Sequence, residues 1–94
     1  MISPSDAERL VYDWCTYHSR GTTSARALAA VYASTYMDYT PLLRFTDLRT
    51  LDDVRFEWAI ALLRGYVEGR LKVPWPRAVA LVALYDLIPA ETDP

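Results

Sequence analysis

The segment DVRFEWAIALLRGYVEG, residues 53 to 69, constrains the fold more than any other. At 100° per residue, Phe56, Ala59, Ile60, Leu63 and Val67 cover one face of a helix. Trp58, Leu62 and Tyr66 widen the apolar arc to roughly 200°. Only Glu57, Arg64 and Glu68 make a polar stripe. A surface helix needs about half that apolar width. Such a helix is central in its domain, or it has one face in the core and a second against a partner. Gly65 in mid-helix costs about 1 kcal/mol relative to alanine, so a close helix crossing is expected there.

The remaining apolar segments also carry helical spacing. In the first, Ser5 and Glu8 form a capping box, with Ser3 before Pro4 as the alternative cap. Ala7, Leu10, Val11, Trp14 and His18 or Tyr17 follow on one side, and Arg20 sits in the last turn before Gly21. The second, TTSARALAAVYASTYM, is capped within Thr22 to Ser24. Its stripe is Leu28, Val31, Tyr32, Thr35 and Tyr36, its small residues admit a close neighbour, and Pro41 ends it.

The stretch FTDLRTLDD, residues 45 to 53, reads as an elbow. Thr46 caps a short turn, and Asp52 caps the helix beginning at Asp53. Phe45, Leu48 and Leu51 plug the space beneath the bend, while Asp47, Arg49, Asp52 and Asp53 face water. After the stiff connector LKVPWP comes RAVALVALYDL, which starts at Pro76. Its alanines favour helix over 76–88, although its valine–leucine alternation would also suit a strand. It is apolar nearly all round except at Arg77 and Asp86. The tail PAETDP is expected to fray.

These elements predict an all-α fold: one domain over residues 1–94, a compact bundle of four main helices plus a short helical turn at 46–51. Ninety-four residues leave no room for a second domain. The 52% hydrophobic content and the three tryptophans, seven tyrosines and two phenylalanines exceed what so small a core needs. Some aromatics are therefore expected at an interface.

Charge narrows the partners. A net charge of −2, with a pI of about 5.2, disfavours nucleic acid and anionic membranes. No apolar run approaches the ~20 residues that span a bilayer. The start MISPSDAERL lacks a basic segment followed by an apolar one, so no secretory signal is expected. Cys15 is the single cysteine, which leaves no internal disulfide and points to a reducing, cytoplasmic setting.

Candidate chemistry is thin. Cys15 and His18 are three apart on a helix, but a structural zinc needs four ligands and this chain holds one residue of each type. As a nucleophile and base they fare no better, because mid-helix is a poor place for an exposed thiolate. Asp52 and Asp53 diverge by 100° and read as a cap and its solvated neighbour. The glycines are too scattered for a phosphate loop. No catalytic residue, cofactor or metal ligand is expected, and the chain is not read as an enzyme.

Two surfaces remain. Residues 5–37 resemble a helix-turn-helix pair, in which Arg20, Thr23 and Arg26 would meet DNA. Arg64, Arg70, Lys72 and Arg77 surround Trp75 as the one basic cluster, suited to an acidic protein patch. Trp58 and Tyr66 flank the broad apolar arc as candidate anchors.

The segments ARALAAVYASTY and RFTDLRTLDDVRFEWAIALLR resemble a family of small uncharacterised proteins of proteobacterial mobile elements and prophages. There an arginine- and alanine-rich helix is followed by an F-x-L-T-D-L-R-x-L-D segment and a helix ending in V-L-R. The resemblance covers residues 25 to 64 and is densest at Thr46, Asp47, Leu48, Arg49, Leu51 and Asp52. From Tyr66 onward the chain departs from the pattern, and no histidine follows the third helix. The resemblance implies a helical fold in a phage or mobile-element setting and no transferable activity. Small acidic proteins of that setting often bind and block a host protein.

The function expected is therefore a non-enzymatic interaction module, an anti-defence or other inhibitor acting on a host protein or as a homo-oligomer such as a dimer. Its expected contact residues are Trp58, Tyr66, Arg70, Trp75 and Arg77. The second reading is a small DNA-binding transcriptional regulator using residues 5–37.

Overall fold

A computed structural model describes residues 2–18, 21–36, 45–71 and 73–87. The expectations for Arg20, Pro41, Lys72 and the tail from Pro89, and for the side chain of Phe45, lie outside the described residues.

Four α-helices account for most of the fold. They are α1 (Pro4–Asp13), α2 (Thr23–Ser34), α3 (Asp53–Val67) and α4 (Trp75–Tyr85). A 3-10 turn, Phe45–Thr50, precedes α3, and there is no strand among the described residues. The radius of gyration of 12.2 Å is that of a compact chain of this length, roughly 12 Å. No helix among the described residues is long and apolar enough to cross a membrane.

Local signals set the helix starts. Ser3 Oγ accepts from the Asp6 N–H at 3.1 Å, and Pro4 takes the first helical position. The alternative cap is thus the one used. Glu8 is not spent on a capping box because its carboxylate is drawn into contacts with α2 and α4. Thr22 accepts from the Ala25 N–H at 3.1 Å, and Asp52 accepts from the Arg55 N–H at 2.8 Å. Each cap satisfies a donor that the helix itself leaves unpaired.

The helix ends are less regular. After α1 the chain continues as a wide π-turn, Trp14–His18. There the Cys15 carbonyl accepts the Tyr85 hydroxyl at 2.6 Å. Asp86 closes α4 in the left-handed region at φ 54°, and the Leu87 N–H returns to the Val82 carbonyl at 3.0 Å. This helical termination removes the strand alternative for the last segment.

The enclosed helix is α2. Eight of its twelve residues are buried, from Ala25 through Ala33. Its alanines let α1 and α3 pack on one side and α4 on another. A position at the centre of the domain was one expectation for α3, and it is corrected here. Helix α3 buries only Ala59, Ala61, Leu62 and Gly65, while Phe56 and Ile60 lie outside. An alanine-lined helix needs no bulky side chain to be surrounded, so apolar width alone did not identify the centre. Burying Leu28, Leu62 and Leu81 contributes about 1.5–3 kcal/mol each.

Gly65 marks the expected close crossing. A Cβ there would lie 2.5 Å from Pro4 Cβ and 2.8 Å from Leu71 Cβ. In the elbow before α3, Leu48 and Leu51 pack against the core as read, but Thr46 lies inside the 3-10 turn instead of capping it, and Asp47 is half-buried. Ser24 Oγ donates to the Thr50 carbonyl at 2.8 Å, tying the elbow to the start of α2.

Candidate interaction surface

The outer face of α3 carries a straight apolar line. Phe56 is 43% exposed, Ile60 37% and Val67 80%, with half-buried Leu63 between them. At 100° per residue these four lie within about 60° of arc. Glu57 and Arg64, both exposed, run along one edge of the line. The sequence assigned Phe56, Ala59, Ile60, Leu63 and Val67 to one apolar face; Ala59 turns into the core and Leu63 packs against it, while Phe56, Ile60 and Val67 point outward. The core takes the adjoining face, centred on Leu62, because Gly65 and the alanines at 59 and 61 let α1 and α2 approach there.

Beyond α3 the chain turns at Gly69, whose φ of 72° is left-handed. Tyr66 is 40% exposed and lines a cleft of about 400 Å³ with Tyr36, Leu71 and Val73. Arg70 is exposed and pairs with Glu68. Trp75, at the first turn of α4, is 57% exposed. Three of the expected contact residues are therefore exposed: Tyr66 in the last turn of α3, Arg70 in the connector and Trp75 at the start of α4.

The other two are engaged inside the fold. Trp58 is half-buried and meets Trp14 edge to face at 6.1 Å between ring centres. The Arg55 guanidinium lies 4.7 Å from the Trp14 ring centre and 4.9 Å from that of Trp58. Arg77 is partly buried; its Nη1 donates to Glu8 at 2.9 and 3.2 Å, and its guanidinium lies 5.1 Å from the Tyr12 ring centre. Glu8 also accepts the Tyr32 hydroxyl. Burial, followed by that bond to Glu8, pushes the Tyr32 hydroxyl well above its ordinary range, while Glu8 raises Arg77. The cluster joins α1, α2 and α4, which is a structural task. Local sequence does not reveal it, because Glu8 and Arg77 stand at opposite ends of the chain.

Cys15 is fully buried, and its thiol donates to the Ala25 carbonyl at 3.3 Å. Burial pushes its pKa from 9.0 up to about 12. A thiol so held is a small buried hydrophobe and a poor nucleophile. His18, at the end of the π-turn, is exposed.

Comparison of the chain with family models, with curated proteins and with solved structures gives no match.

Proposed function

We propose that this protein is a non-enzymatic interaction module that acts by covering a surface of another protein chain. The observation that carries this reading is the exposed line Phe56, Ile60 and Val67 on α3. Exposed apolar residues scattered singly need no explanation, but a contiguous line of them marks a contact site. Tyr66 in the last turn of α3, with Arg70 and Trp75 beyond its end, adds further exposed residues. The resemblance of residues 25–64 to mobile-element proteins adds a setting in which the eventual target is a host protein.

No observation favours the DNA-binding reading. A recognition helix needs a free face. Helix α2 is enclosed over most of its length, and the Arg26 guanidinium donates to the Tyr85 carbonyl. Capture from a host extract tests the proposal. Wild-type protein is expected to retain a protein partner, its own chain included, that Ile60→Glu releases. Retention unchanged by Ile60→Glu and by Trp75→Ala would remove the support for this surface.

A further inference from the structure

We draw no further inference here: the strongest candidate, the exposed apolar face of α3 along Phe56, Ile60 and Val67, is the surface already described, and nothing in the structure shows what covers it.

Discussion

Arg77 Nη1 lies 2.9 Å from Glu8 Oε2, so the last helix is clasped to the first through a carboxylate whose side chain is only 12% exposed. The same carboxylate accepts the Tyr32 hydroxyl from the enclosed helix α2. One acid thus serves three helices, and the clasp is unequal. Glu8→Ala strands two partners and is expected to cost about 2–3 kcal/mol in urea unfolding. Arg77→Ala leaves Glu8 its bond to Tyr32, and Arg77 is partly in water, so about 1 kcal/mol is expected. Equal losses from the two variants would contradict this division.

The pH dependence has a definite sign. The Cys15 thiol ionises near 9.0 when unfolded and near 12 in the fold, because burial disfavours the thiolate. Between those values the unfolded chain binds fewer protons. This contribution is full below pH 9 and is lost as pH rises toward 12, at about 1.4 kcal/mol per pH unit. Tyr32, also raised from its ordinary 10.0, adds a second decline above pH 10. Melting temperatures between pH 8 and pH 11 should fall for wild type, and Cys15→Ala should stay flat to about pH 10. A variant with the same early fall would place the effect elsewhere.

Gly65→Ala separates propensity from packing. Alanine gains about 1 kcal/mol within a helix. The added Cβ, however, meets Pro4 Cβ and Leu71 Cβ, atoms held close to their own backbones, at 2.5 and 2.8 Å. Packing wins, and a net loss of about 1–2 kcal/mol is expected by urea denaturation. A stabilised variant would mean that the crossing of α1 over α3 is looser than described.

Arg55 between Trp14 and Trp58 offers an optical test. Its planar guanidinium stacks where an ammonium cannot. Arg55→Lys is expected to cost about 0.5–1 kcal/mol and Arg55→Ala about 1–2 kcal/mol. Both should alter the emission of the half-buried pair, while iodide continues to quench exposed Trp75. Unchanged emission in Arg55→Ala would show that the stack does not persist in solution.

The parts legible from sequence were those decided by near neighbours. Asp52 and Thr22 each cap the helix that begins one residue later, and Leu48 and Leu51 fill the elbow. Gly65 announced its crossing because a mid-helix glycine needs a reason. What stayed hidden depends on residues far apart in the chain. Glu8 and Arg77 are 69 positions apart, so their pairing could not be read from the sequence. The meeting of Trp58 with Trp14 was hidden for the same reason, since the two are far apart in the chain. The choice of centre was illegible for a different reason: alanines are equally at home in water or in a core, and only their neighbours decide. The broad apolar arc of α3, from Phe56 through Ala59, Ile60 and Leu63 to Val67, was fully visible. What could not be read was which of two adjoining apolar faces would turn inward.

Comparison of wild type with Ile60→Glu in capture from a host extract tests most directly whether the exposed face of α3 is a contact site. Wild type is predicted to retain a protein, its own chain included, that the variant releases while keeping an unchanged helical circular-dichroism spectrum, since Ile60 lies outside the core. Equal retention by the two would contradict a contact on that face.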